Sequence, residues 1–154
     1  MSANGTVPLM SKEFFEHIVD ALMGFLPPDR TGFSWRAGSR NLKVWYGAEP
    51  REHYEVQLVG AALEIGFHAE HSDARRNEAV LDQLLESEKT WRRRLRGDVE
   101  AGRYLGRRSS PWRRVSECWE GDGLLDPETS VEAAERLAAY IDAFEPVRAA
   151  SPAS

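Results

Sequence analysis

From His53 to His71, HYEVQLVGAALEIGFHAEH, apolar and polar residues alternate on either side of Gly60-Ala61. Folding the segment back about that dipeptide sets Leu58 opposite Leu63, Val56 opposite Ile65 and Tyr54 opposite Phe67, so the apolar residues share one face. Glycine at the first turn position suits a two-residue type II′ turn. The other face then carries His53 with His68, Glu55 with Gly66 and Gln57 with Glu64. Alternation of this kind reads as one strand face on a core and one face in water.

Outside the hairpin the period changes. After Ser11, a capping residue, Phe14, Phe15, Ile18, Val19, Leu22, Phe25 and Leu26 recur at helical spacing until Pro27-Pro28 ends the run. Phe33–Arg36 and Asn41–Tyr46 read as strands joined by Ala37-Gly38-Ser39-Arg40. Ser72 opens one long helix with a stripe of Asn77, Val80, Leu81, Leu84, Glu88, Trp91 and Leu95, capped by Gly97. Two shorter strands are expected over Tyr104–Arg108 and Trp112–Trp119, although WRRVSECWE alternates poorly. Thr129 and Glu132 fit a capping box for a final helix with Ala134, Leu137, Ile141 and Phe144 inward, ending at Pro146. The order α-β-β-β-β-α-β-β-α predicts an α+β fold, with helices packed on a mostly antiparallel sheet.

A chain of 154 residues with 42% hydrophobic content fits one domain, here residues 11–146, between disordered tails at 1–10 and 147–154. No segment approaches eighteen apolar residues, so no membrane partner is expected. The start, MSANGTVPLMSKEFF, lacks a basic stretch followed by an apolar one, and the lone Cys118 forms no intrachain disulfide; both suit a cytoplasmic protein. The bias of 17 arginines to 3 lysines, with abundant alanine, suggests a GC-rich bacterial genome.

The net charge of −5 hides an asymmetry. Between Lys89 and Arg114 ten residues are basic and two, Asp98 and Glu100, are acidic, whereas the remainder holds ten basic and 23 acidic residues. Arg92, Arg93, Arg94, Arg107, Arg108, Arg113 and Arg114, interleaved with Trp91 and Trp112, have the ingredients for phosphate contacts and base stacking. The same arginines also suit an acidic protein surface or a second copy of the chain, or simply the macrodipole at a helix C-terminus.

The hairpin's polar face is the other candidate. His53 and His68 lie within cross-strand reach and could hold a transition metal with Glu55 or Glu70. Glu55, Glu64 and His68 are the residues a metal-dependent hydrolase would use, and Tyr54-Glu55-Val56-Gln57 places an acidic residue two before a polar one, as in restriction-type nucleases. Those sites need a second carboxylate and a lysine beside the metal, and Gln57 is not a lysine. A solvated strand face is the expected role. No Walker loop, GxGxxG, GxSxG, HExxH or Cys/His zinc spacing occurs, so no cofactor is implied.

The runs RNEAVLDQLLESEKTWRRRLRG and SSPWRRVSECWEG, with the closing helix, resemble an uncharacterised bacterial domain found at the C-terminal end of restriction-nuclease-like proteins. Glu64, Asn77, Trp112, Arg114 and the helix from Ser130 fit its pattern, and the resemblance spans roughly residues 54–144. It implies no established activity, and the nuclease half is absent. The element order is also similar to secretion-chaperone folds, which dimerise and bind partners without catalysis. Together these readings favour a non-enzymatic interaction module that binds a protein partner or itself. An accessory nucleic-acid-binding domain is the alternative, and a metal-dependent hydrolase a third.

Overall fold

In a computed structural model of the chain, which describes residues 9–105 and 110–149, the elements are α1 (Ser11–Phe25), a 3-10 turn (Pro28–Arg30), β1 (Ser34–Ala37), β2 (Asn41–Trp45), β3 (Glu52–Val59), β4 (Ala62–Ala69), α2 (Ala74–Leu85), α3 (Glu88–Leu95), β5 (Glu100–Arg103), β6 (Arg113–Trp119) and α4 (Pro127–Ala149). The strands form one antiparallel sheet in the order β1-β2-β3-β4-β6-β5, and the fold is α+β. β3 and β4 pair in the register expected from their alternation: Tyr54 faces Phe67, Val56 faces Ile65, Leu58 faces Leu63 and His53 faces His68. Gly60 has φ +60°, the conformation its turn position demands.

One face of the sheet is the core. Leu42, Val44, Tyr54, Val56, Leu63, Ile65, Phe67 and Val115 are buried under Phe14, Phe15, Ile18 and Leu22 of α1 and Leu137, Tyr140, Ile141 and Phe144 of α4. Phe144 is the hub, with edge-to-face contacts to Phe67, Trp91 and Tyr140 at ring separations of 6.1, 5.5 and 5.6 Å. Glu117 breaks the alternation of β6, because it points to this face and accepts bonds from Arg136 Nε, Tyr140 Oη (both 2.7 Å) and Trp119 Nε1 (2.8 Å).

Several expectations are corrected. The single long helix after residue 72 is two, broken at Glu86-Ser87. At the break the Leu84 carbonyl, which a continuous helix would bond to the Glu88 amide, accepts from the Ser87 amide at 3.1 Å and from the Trp91 indole Nε1–H at 2.7 Å. Asp73, not Ser72, caps α2, accepting from the Arg75 amide at 3.0 Å. Ser11 is the first helical residue of α1 and not its cap. The strand expected from Tyr104 lies earlier, at β5, where Ala101 joins the core face opposite Val115; residues 106–109 lie outside the described residues. Asp126 opens α4 by accepting from the Thr129 amide at 2.7 Å. That helix runs through Pro146 to Ala149, and the Asp142 carbonyl left without an amide donor by Pro146 is reached by Arg94 Nη1 at 3.4 Å. Leu9, expected in a tail, bonds through its amide to the Leu125 carbonyl at 2.8 Å. No helix among the described residues is long and apolar enough to cross a membrane.

Candidate metal centre

The opposite face of the sheet is polar and, against expectation, closed to water where it matters. His53, Glu55, Glu64 and His68 are each no more than 2% exposed. Asn41 and Lys43 of β2 close over it from one side, Nδ2–H of Asn41 donating to Glu55 Oε2 at 2.9 Å and Lys43 Nζ to Glu70 Oε1 at 3.1 Å. From the other side Tyr104 stands edge-on to the His68 ring at 5.2 Å, with Trp112 against Tyr104 at 5.1 Å. Burying this many ionisable groups is costly unless each is bonded, and no buried side-chain polar atom among the described residues lacks a partner.

The register builds the cluster. His53 and His68 are directly opposed, so Glu70 is the diagonal neighbour of His53 and Glu55 that of His68, all on one face. Opposite Glu55 stands Gly66, which puts no side chain among them. Four donor atoms converge as a result: His53 Nε2, Glu55 Oε1, His68 Nδ1 and Glu70 Oε2 all lie within 4.8 Å of one another. His53 Nε2 is 2.7 Å from Glu55 Oε1 and 3.4 Å from Glu70 Oε2, and His68 Nδ1 is 3.0 Å from each carboxylate. Tetrahedral donors about 2.1 Å from an ion are about 3.4 Å apart. Four of the six separations, 2.7–3.4 Å, lie at or just below that spacing, and no two of the atoms are more than 4.8 Å apart, so small side-chain shifts would seat an ion among them.

Each donor is also held from behind. His53 Nδ1–H donates to the Pro50 carbonyl at 2.8 Å and His68 Nε2–H to Glu64 Oε2 at 3.0 Å, while Asn41 and Lys43 hold the far oxygens of Glu55 and Glu70. Anchoring of this kind orients metal ligands and fixes their tautomers.

Without an ion, the acceptor-only carboxylates around both rings demand imidazolium. Burial pulls His53 and His68 down, but the carboxylates outweigh it: bonds to Glu55 and Glu70 raise His53, and Glu55 foremost, with Glu64 and Glu70, raises His68 well above the ordinary range. Burial pushes the carboxylates up and the histidines pull them further down, leaving Glu55 at about 2 and Glu64 and Glu70 below their ordinary values. Three carboxylates then face two imidazolium groups and one ammonium, Lys43. A divalent ion replacing one proton on each ring leaves that balance unchanged.

Of the residues singled out from the sequence, Glu55, Glu64, His53 and His68 come together here. His71, on the same stretch, does not; it bonds Glu52 at 2.7 Å. The arginines among the described residues are divided between several surroundings. Arg92 pairs with Glu88 and lies over Trp91, Arg94 reaches the Asp142 carbonyl, Arg113 pairs with Glu78, and Arg114 is buried against Glu100 and Ser116. Arg93 is exposed, and Arg107 and Arg108 lie outside the described residues. Trp91 is fully buried, so it offers no stacking platform, and Trp112 is half-buried on Tyr104. Cys118 is exposed.

Asn41, Lys43 and Ser116 were not marked by sequence reasoning, and Tyr104 was not placed on this face. A signal existed: His53-Tyr54-Glu55 and His68-Ala69-Glu70 are two His-X-Glu triplets facing each other in the hairpin register, with Lys43 opposite Glu55 on the next strand. Comparison with protein-family models, with curated proteins and with solved structures returns no match.

Proposed function

We propose that this chain is a metal-binding protein that holds one divalent first-row transition ion in the His53, Glu55, His68 and Glu70 cage, and that it works by binding and not by catalysis. The observation that carries the reading is the convergence of four anchored donors within 4.8 Å. Two imidazoles and two carboxylates are a borderline set, too rich in nitrogen for Ca²⁺ or Mg²⁺ and without the sulfur that Cu⁺ favours. Zn²⁺ suits it best, because four protein donors complete a tetrahedral shell.

The same closure argues against turnover. Catalytic zinc sites usually keep three protein ligands and an open position for water or substrate. Here all four positions belong to protein side chains, three on buried residues and the fourth, that of Glu70, only 6% exposed. An ion so placed ties β3 to β4 at the centre of the sheet and stabilises the folded state by linkage, about 2.7 kcal/mol at a free concentration 100 times Kd.

Co²⁺ is the optical test. Titrated into metal-free protein, it should give saturable visible bands of tetrahedral strength at one ion per chain, displaced by Zn²⁺ and absent from the folded His53→Ala/His68→Ala double variant. Wild-type protein that stays folded and shows no saturable bands would refute the reading.

A further inference from the structure

We infer that Glu64, which does not contact the ion position, is the positioning residue that makes His68 bind through Nδ1 and sets the affinity of the cage. This rests on the metal reading above. His68 is fully buried, and its two nitrogens have different surroundings. Nδ1 faces the cage, 3.0 Å from Glu55 Oε1 and from Glu70 Oε2, whereas Nε2 points away from it to Glu64 Oε2 at 3.0 Å. An imidazole that binds an ion through Nδ1 keeps its proton on Nε2. A carboxylate accepting that proton holds the ring in place and makes the ligating nitrogen more basic.

Glu64 is itself fixed for the task. Its Oε2 accepts from Ser116 Oγ at 2.5 Å and its Oε1 from Gln57 Nε2. Ser116 Oγ in turn accepts from Arg114 Nη1 at 2.8 Å, and Arg114 Nη2 pairs with Glu100 at 2.8 Å. The carboxylate is thus tied to β3, β6 and, through Arg114, β5, and it cannot swing into the cage as a fifth donor without breaking those bonds. The second histidine is treated differently. His53 Nδ1–H donates to a neutral backbone carbonyl, that of Pro50, at 2.8 Å. The two imidazoles therefore differ in donor strength, and the ionised Glu64 makes His68 the stronger.

The experiment measures Zn²⁺ affinity by chelator competition, and the visible spectrum of the Co²⁺ form, for wild type, Glu64→Gln and Ser116→Ala. Glu64→Gln removes the charge at Nε2 and keeps the shape; Ser116→Ala removes a bond to Glu64 and keeps its charge. The expected result is a 10- to 100-fold loss of affinity in Glu64→Gln, the usual cost of losing such an outer partner, with shifted Co²⁺ bands and Ser116→Ala within about threefold of wild type. Unchanged affinity and bands in Glu64→Gln would overturn the inference, as would an equal loss in both variants, which is the mark of a packing role. Wild-type protein that binds neither ion would instead sink the cage itself. If Glu64→Gln does not fold, nitrogen-15 NMR of histidine-labelled, Zn²⁺-loaded wild type decides. His68 ligated at Nδ1 with its proton on Nε2 supports the role, and ligation through Nε2 overturns it.

Discussion

Replacing Gly66 by alanine should cost far more than one methyl group suggests. Gly66 sits on β4 between Glu64 and His68, opposite Ser116 of β6. A Cβ built on it would lie 2.3 Å from the Val115 carbonyl oxygen, 2.5 Å from Ser116 Cα and 2.6 Å from Ser116 Cβ. Two of these are backbone atoms of a paired strand, so no flexible side-chain end can yield. β4 and β6 must move apart by roughly an ångström to restore ordinary contact distances. Overpacking of this kind costs about 1–3 kcal/mol. The movement also pulls Ser116 from the buried Glu64 carboxylate, now 2.5 Å away, and a buried charged group that loses a partner costs about 1–3 kcal/mol more. The expected loss is therefore about 2–6 kcal/mol. With a urea slope of about 1–3 kcal/mol/M, that moves the unfolding midpoint by about 0.7 M or more. Gly24, in α1, is the control, because a Cβ there meets nothing within 4 Å. Gly24→Ala should be neutral or stabilising by up to about 1 kcal/mol. A Gly66→Ala midpoint within error of wild type would refute the close approach of β4 to β6 and the placing of Glu64 that depends on it.

Other predictions follow from burial and charge. Trp91→Ala should lose about 3–5 kcal/mol in urea unfolding, since the indole is fully buried, touches Phe144 and bonds Leu84; a loss under 1 kcal/mol would mean Trp91 is a surface residue after all. All four tyrosines have hydroxyls pushed above the usual value of 10, chiefly by burial. A group raised in the folded state contributes stability that is complete below its unfolded value and lost as pH climbs through the folded one. Tyrosinate absorbance of the folded protein should therefore rise later than that of free tyrosine, and a reversible titration of all four tyrosines centred on 10 in folded protein would contradict the burial. The carboxylates of the cage run the opposite way. Glu55, held near 2, with Glu64 and Glu70, contributes stability above about pH 4.5 that is lost as pH falls toward 2. Metal-free protein should show a steep fall of the urea midpoint over that interval, shallower in Glu64→Gln; a flat profile would argue that these groups are solvated.

How much of this was legible in the sequence depends on how local each feature is. The β3–β4 register could be read because a two-residue glycine turn and strict alternation leave one pairing that keeps the apolar residues together, and His53 opposite His68 comes with it. What alternation cannot tell is whether the polar face meets water. That is decided by Lys43 and Asn41 from β2 and by Tyr104 and Arg114 from a segment some forty residues later, none of which the hairpin encodes. Where the arginine-rich stretch puts its charges is likewise set by the fold: those among the described residues are divided between helix ends, a buried network and the surface, and its Trp91 belongs to the core. The break between α2 and α3 escaped the helical periodicity because the stripe from Leu84 to Trp91 continues across it, while the bonds that the Leu84 carbonyl makes at the break, to the Ser87 amide and the Trp91 indole, leave no periodic signal.

The cage itself can be tested in a crystal. Protein crystallised with one equivalent of Zn²⁺ and measured on both sides of the zinc absorption edge should show a single anomalous peak bounded by His53 Nε2, Glu55 Oε1, His68 Nδ1 and Glu70 Oε2, with donor distances near 2.1 Å and the Glu64 carboxylate still on His68 Nε2. A map with no peak there, or with zinc only at surface sites while these four side chains remain bonded to one another, would contradict a metal centre in this sheet.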